Sequence, residues 1–335
     1  MEPNPQFGVP GSSRKRLFVL LISCVVIFGL YARSAPISNS PSGIARRRQI
    51  SVVSDLVLVP VNVTNANGDF VSGLTQGDFR IYESNRPQTI TVFEQEDSPV
   101  SVGLLVDHSG SMGSKLPNVL KAISAFAQSS NPQDEMFVVN FGDDVSVVLS
   151  GGKAFTGDAT EIQRAVSGAS AQGRTALYDA VAAGLSHLQL AHWQKKALVI
   201  VSDGGDNASR YKYSQILTQA RQSHITIYSI GLVDESGEEQ NPRALEQLCK
   251  DTGGIAFFPR SAAQVVDSSA SVARDLQEQY ILGFEPEQKA NASTFHKIQV
   301  RVVAPHRGKL HVRTRIGYTT PGADAPPAEP DKDAS

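Results

Sequence analysis

The sequence predicts an α/β protein in which a doubly wound, mostly parallel sheet occupies the middle of the chain and the two flanks supply a small antiparallel β module. Three observations predict it. Between about residues 100 and 275, short aliphatic runs alternate with helical patterns, as expected of strands buried on both faces and joined by crossover helices. On either side of that region the pattern changes to apolar and polar residues in alternation, the period of half-buried strands. The 335 residues, 41% of them hydrophobic, suffice for one large core and one smaller one.

The elements follow in chain order. Residues 1–16 are polar and end in Arg14-Lys15-Arg16, and Leu17 to Ala32, "LFVLLISCVVIFGLYA", carries no charge. As a helix rising about 1.5 Å per residue this segment spans about 24 Å, less than a hydrocarbon core of about 30 Å but more than most signal-peptide apolar regions. Residues 17–32 read as an uncleaved membrane anchor, with a cleaved export signal as the alternative. Cleavage after Ala35 would put Arg33 at the third position before the cut and Pro36 just after it. Leu21-Ile22-Ser23-Cys24 resembles a lipobox, yet the apolar run continues through Leu30. Arg33 and Arg46-Arg47-Arg48 balance the basic residues before the segment, so charge does not fix its orientation.

Residues 33–49, rich in Ser, Pro and Arg, read as a linker. Residues 50–98 form the first part of the β module. There Leu56, Leu58, Val61, Val63, Ile90 and Val92 carry the alternation, and "NANGD" (65–69) and "ESNRPQ" (83–88) supply turns. Residues 99–278 are the α/β domain. Its strands are expected at Val102 to Val106, Met136 to Phe141, Ala197 to Ser202, Ile225 to Ile230 and Ile255 to Phe258. Helices are expected near Leu116 to Gln128, Leu177 to Leu190, Ser214 to Gln222, Arg243 to Asp251 and Ala262 to Gln279. Residues 279–320 contain "YILGFEP", "FHKIQVRVVA" and "KLHVRTRIGY", three strands that would complete the β module, and the Pro-, Ala- and acid-rich residues 321–335 predict a disordered tail.

Charge and cysteine content remove other classes. A formal net charge of -2 with only short basic clusters offers no footprint for nucleic acid. The two cysteines, Cys24 and Cys249, give no disulfide framework, and Cys249 reads as a small apolar core residue.

The functional signal is "GLLVDHSGSMGSKL" (103–116), where an aliphatic strand ends in Asp107, Ser109 and Ser111. Ligands of doubly wound sheets bind at the carboxyl ends of the strands. Spacing i, i+2, i+4 lets one turn direct three oxygens at one point, and a hard cation such as Mg²⁺ takes oxygen ligands of this kind. Thr175 in "QGRTALYDA", before a helix, and Asp203 in "VIVSDGGDN", directly after a strand, would bring the set to two carboxylates and three hydroxyls.

With these pieces in order, the chain resembles a von Willebrand factor type A domain carrying a metal-ion-dependent adhesion site, on a Rossmann-like sheet. The D-x-S-x-S motif is Asp107-His108-Ser109-Gly110-Ser111, the distant threonine Thr175 and the distant aspartate Asp203. The flanks "GLTQGDFRIYESNRPQTITVFEQE", "LQEQYILGFEP" and "VRTRIGY" are similar to the bacterial VWFA-related family described from acidobacteria, so the resemblance spans about residues 50 to 320. It implies that the serines and threonine coordinate Mg²⁺ directly, with Mn²⁺ or Ca²⁺ as alternatives, and that the aspartates bind it directly or through water. It further implies that the open position takes an Asp or Glu of a protein partner. The expected function is thus metal-dependent protein binding, as in adhesion or assembly, without bond breaking. The module would be tethered to a membrane by residues 17–32 and face the periplasm or cell exterior, or be secreted if the segment is cleaved. Asp206 and Asn207 stand beside the site and would orient a metal-bound water or shape the turn.

Rival readings differ at named positions. A phosphoryl-accepting aspartate at 107 would need an acid two residues on, where Ser109 stands; a G-x-S-x-G elbow would need Gly at 107; no Walker A loop occurs; and the seven histidines show no zinc spacing. Two alternatives stay open, a hydrolase using the same ion to polarise a substrate and a scaffold with a vestigial metal site. The first would need a general base beyond the ligands, and none is evident. Serines that merely cap the following helix would need neither Thr175 nor Asp203. Sequons begin at Asn62, Asn207 and Asn291; they matter only in a eukaryotic secretory pathway, which the resemblance to a bacterial family disfavours.

Overall fold

The computed structural model describes residues 56–95, 98–234, 240–286 and 294–320, all within one compact unit. The expected basic N-terminus, the apolar segment 17–32, the linker, Cys24, Asn291 and the acidic tail lie outside the described residues. Among the described residues no helix is long and apolar enough to cross a membrane.

The N-terminal flank gives four strands: β1 (Val57–Asn65), β2 (Phe79–Glu83), β3 (Arg86–Gln88) and β4 (Val92–Glu94). Ser84 and Asn85 join β2 to β3 with φ of 47° and 69°, the two positive values of a tight hairpin whose twist matches its strands. The central region then runs β5 (Val100–Asp107), α1 (Leu116–Ser129), β6 (Glu135–Phe141), β7 (Val145–Val148), α2 (Ala159–Ser167), α3 (Leu177–His187), β8 (Lys195–Ser202), α4 (Tyr213–Gln222), β9 (Thr226–Gly231), α5 (Pro242–Thr252), β10 (Ala256–Phe257) and α6 (Ala262–Gln277). Its six-stranded sheet has the order β10-β9-β8-β5-β6-β7 and is parallel except at β7. β5 is buried at every residue because helices cover both of its faces, which is why the sequence there is an unbroken aliphatic run. On one face Val119, Ala122, Ile123 and Phe126 of α1 pack against it at helical spacing. On the other face lie Leu177, Ala180, Val181 and Leu185 of α3.

The C-terminal flank supplies β11 (Tyr280–Phe284), β12 (Phe295–Val302), β13 (Leu310–Thr314) and β14 (Gly317–Thr319). These strands interleave with the N-terminal ones in two four-stranded sheets, β13-β1-β11-β4 and β14-β12-β2-β3. Val59 pairs with Leu282, Val63 with Val312, and Ile81 with Val300. Inward-facing residues of both sheets, among them Val59, Val61, Phe79, Ile81, Leu282 and Phe284, share one core. The α/β fold with an antiparallel module built from both flanks is therefore as the sequence predicts.

Several elements differ from expectation. β7 and α2 lie outside the expected elements: β7 is a four-residue edge strand with no fully buried residue, and α2 buries only one narrow stripe, so neither writes a clear period into the sequence. α6 stops at Gln277, and Gln279 instead donates its side-chain amide to buried Asn62 at 3.1 Å. The stretch "KLHVRTRIGY" is two strands in different sheets, divided at Arg315, which is only 1% exposed. Its guanidinium donates to the carbonyls of Arg221 (2.7 Å), Ser223 (2.8 Å) and Gly317 (2.9 Å), so a residue of the β module satisfies the orphan carbonyls at the end of α4.

Candidate functional site

The chain leaves β5 for β6 and β7 on one side and returns to β8 on the other. The carboxyl ends of β5 and β8 therefore flank the point where strand order reverses, the crevice in which open α/β sheets bind ligands. Asp107 is the last residue of β5, and Asp203 follows the last residue of β8.

Three loops meet there and are tied by backbone hydrogen bonds. The Gly110 amide donates to Gly173 O at 3.0 Å and the Gln172 amide to His108 O at 2.8 Å, while the amides of Asn207 and Ala208 both donate to Thr175 O at 3.0 Å. Gly173, at φ 76°, turns its Cα directly onto the Asp143 carboxylate, where a Cβ would stand 1.8 Å from Oδ2. The bonds to Gly173, His108 and Thr175 gather the segments carrying Asp107, Ser109, Ser111, Thr175 and Asp203 around one end of the sheet.

The side chains occupy distinct environments. Asp107 is fully buried and accepts the Ser109 amide at 2.8 Å and the Ser202 hydroxyl at 2.6 Å. Burial, reinforced by the neighbouring Asp203 charge, pushes its carboxyl up to about 6 despite these donors. Ser109 precedes a 3₁₀ turn, Gly110–Lys115, yet its hydroxyl caps no backbone amide. It lies instead 3.2 Å from the Ser111 hydroxyl. Thr175 is bound through its backbone, its amide donating to Asn207 Oδ1 at 2.8 Å. Asp203 is 2% exposed, accepts the Gly205 amide at 3.2 Å and receives the Lys115 ammonium at 3.3 Å.

Asp206 and Asn207 have identified backbone duties. Asp206 accepts the Tyr178 amide at 3.1 Å, capping the first turn of α3, and the Ser209 hydroxyl at 2.5 Å; burial raises its carboxyl. Asn207 fixes Thr175 as above. His108, between Asp107 and Ser109, is buried and meets Asn140 Oδ1 through Nε2 at 3.2 Å, and burial lowers its pKa towards the neutral ring. Among the described residues no group of three or more His, Cys, Asp or Glu side chains is placed to hold a metal, so a thiolate- or imidazole-rich centre is not built here. The oxygens at the crevice are two buried carboxylates and serine hydroxyls free of capping duty, a donor set that fits a hard divalent cation.

Sequence reading missed Lys115 and Ser202. Lys115 is 7% exposed and pairs with Asp203 and, at 2.9 Å, with Asp234. Nothing local marks it, since both partners come from distant strand ends.

The sequence profile of the von Willebrand factor type A domain matches residues 101–279. No curated protein matches the chain. Among solved structures, it is similar to a von Willebrand factor type A protein from Catenulispora acidiphila at 15% identity, over 74% of each chain, with a TM-score of 0.49. It is similar to the vWF domain of the type V pili tip protein Mfa5 from Porphyromonas gingivalis at 12% identity, over 52% of this chain and 94% of that one, with a TM-score of 0.45. A manganese-loaded Plasmodium vivax TRAP protein is similar at 14% identity, over 71% and 97% of the two chains, with a TM-score of 0.42.

Proposed function

The chain belongs to the von Willebrand factor type A domain family, and from that premise we propose that it is a metal-ion-dependent protein-binding module. Asp107, Ser109, Ser111, Thr175 and Asp203 would hold Mg²⁺ or Mn²⁺. The observation that carries this reading is the Ser109 and Ser111 pair: hydroxyls that cap no helix, gathered with two buried carboxylates at the reversal point of the sheet. A bound ion would supply an open coordination position for an Asp or Glu carboxylate of a partner protein. The chain's own residues orient that position: Ser202 and the Ser109 amide fix Asp107, Gly205 fixes Asp203, and Asn207 fixes Thr175.

Binding at the crevice is tested by titrating Mn²⁺ calorimetrically into the wild-type protein and Asp107→Ala. The wild type binds about one ion and the variant none, with equal far-UV circular dichroism; unchanged affinity in the variant removes Asp107 from the site. Capture of a membrane-derived partner by the wild type but not by Asp107→Ala, reversed by EDTA, extends the test to the partner. Wild-type protein without Mn²⁺ affinity would instead support the scaffold reading.

The apolar run at 17–32, with Arg14 to Arg16 before it, supports export and membrane tethering on the periplasmic or outer face. An alkaline phosphatase fusion after residue 320 is active under this topology. An intact, membrane-bound and inactive fusion places the domain in the cytoplasm.

A further inference from the structure

Lys115 is a cation paired directly with a candidate ligand, Asp203, and its surroundings give it a function. Its ammonium lies 3.3 Å from Asp203 Oδ2 and 2.9 Å from Asp234 Oδ2. The stem is buried, with the side chain 8% exposed, and so is Asp203 at 3%, whereas Asp234 is 59% exposed. One fixed positive charge thus bridges a buried carboxylate of the crevice and an exposed carboxylate after β9. We propose that Lys115 is a positioning residue that holds divalent-ion affinity at this site down, and that Asp234 moderates it by sharing the ammonium. This rests on the metal-binding reading above.

The argument is electrostatic. Asp107 and Asp203 bring two negative charges to a crevice where both are almost fully buried, and close charges interact far more strongly there than in water. Lys115 already neutralises one of them, so an arriving dication meets a weaker net field and a like charge held near it. A buried lysine with a second, outward partner is also geometrically divided. The nearer Asp234 draws the ammonium outward from Asp203, and losing that partner would commit the charge fully to Asp203. The 3₁₀ turn Gly110–Lys115 fixes this arrangement, because the turn that sets Ser109 and Ser111 also sets where the lysine enters. Asp234, being exposed, is screened by salt and contributes little direct field of its own.

Two substitutions should therefore move affinity in opposite directions, an outcome that loss of packing at either position would not give. Mn²⁺ is titrated calorimetrically into the full-length wild type, Lys115→Met, Asp234→Asn and the double variant, with thermal midpoints measured in EDTA. Lys115→Met is expected to bind Mn²⁺ about tenfold more tightly than the wild type, and Asp234→Asn about two- to threefold more weakly. The double variant should match Lys115→Met, because Asp234 acts through the lysine, and Lys115→Arg should stay near the wild type. Lys115→Gln replaces Lys115→Met if the latter does not fold. Wild-type binding with no gain in the folded Lys115 variants overturns the proposal and leaves the metal reading standing, as does an Asp234→Asn effect of equal size with and without Lys115. Absence of Mn²⁺ binding in both the wild type and Lys115→Met removes the metal reading and this proposal with it.

Discussion

Asp107 sits where a carboxylate costs the fold free energy, since burial and Asp203 raise its pKa to about 6, and the protein supplies only partial compensation through Ser109 and Ser202. Strain of this kind concentrates at functional sites. A second perturbed group lies far from the crevice. Burial, with the Arg315 charge beside it, lowers His224 from 6.5 to about 4, while the Leu58 carbonyl accepts its proton and Arg315 Nη1 stands 3.5 Å from Nδ1. Between these two values the unfolded chain binds a proton at His224 that the folded protein does not. Stability from the neutral ring is therefore complete above 6.5 and is lost as pH falls towards 4, by up to about 3 kcal/mol. Thermal midpoints of the wild type and His224→Gln measured from pH 7 to 4 should converge as the pH falls; parallel curves would show that His224 does not titrate in this way.

At the scale of elements, the corner between β13 and β14 joins the two cores. Arg315 is buried, its pKa pushed down to about 10 by burial so that it remains charged at neutral pH, and it donates two bonds to carbonyls at the end of α4 and one to Gly317 of β14. Arg315→Met keeps much of the bulk but leaves the carbonyls of Arg221, Ser223 and Gly317 without this donor. The expected loss is about 2 to 4 kcal/mol, read as a lower denaturant midpoint, and a loss under about 0.5 kcal/mol would mean that water replaces the guanidinium. Other junctions repeat the pattern. Asp275 of α6 receives Tyr228 at 2.6 Å and the Arg313 guanidinium, and Asn62 of β1 donates to the Asp275 carbonyl at 2.7 Å. Helix, central sheet and β module are thus fastened by a few buried polar groups rather than by an apolar seam alone.

For the whole molecule, the order of strands dictates what can fold by itself. β1 lies between β11 and β13, and β2 between β12 and β3, so residues 50–98 lack both partners of β1 and one of the two partners of β2. A peptide of those residues should show collapsed, unprotected amide signals by NMR, and should gain protection only when residues 280–320 are supplied, because a few short strands bury too little apolar area alone. Dispersed, protected signals from the isolated segment would contradict this. Closing the module over the central domain also brings chain ends together at long sequence separation, which predicts slow assembly relative to the α/β core.

The sequence by itself determined the period of each strand and helix, and hence the α/β class, because burial on one or two faces writes its spacing directly into the chain. It also set oxygen donors at and just after the end of β5, at Asp107, Ser109 and Ser111, since alternate polar residues closing an aliphatic strand are a local signal. The Ser84-Asn85 turn was legible for the same reason, both residues tolerating or requiring a backbone that only short polar side chains adopt readily. Tertiary structure alone decided what depends on distant partners: that Lys115 turns inward, because Asp203 and Asp234 meet it there; that "KLHVRTRIGY" breaks at a buried arginine, because α4 needs a donor at its end; and that Asn62 is 2% exposed and committed to Asp275 and Gln279. Charge and polarity in the chain specify that such groups must be satisfied, and only the fold specifies by whom.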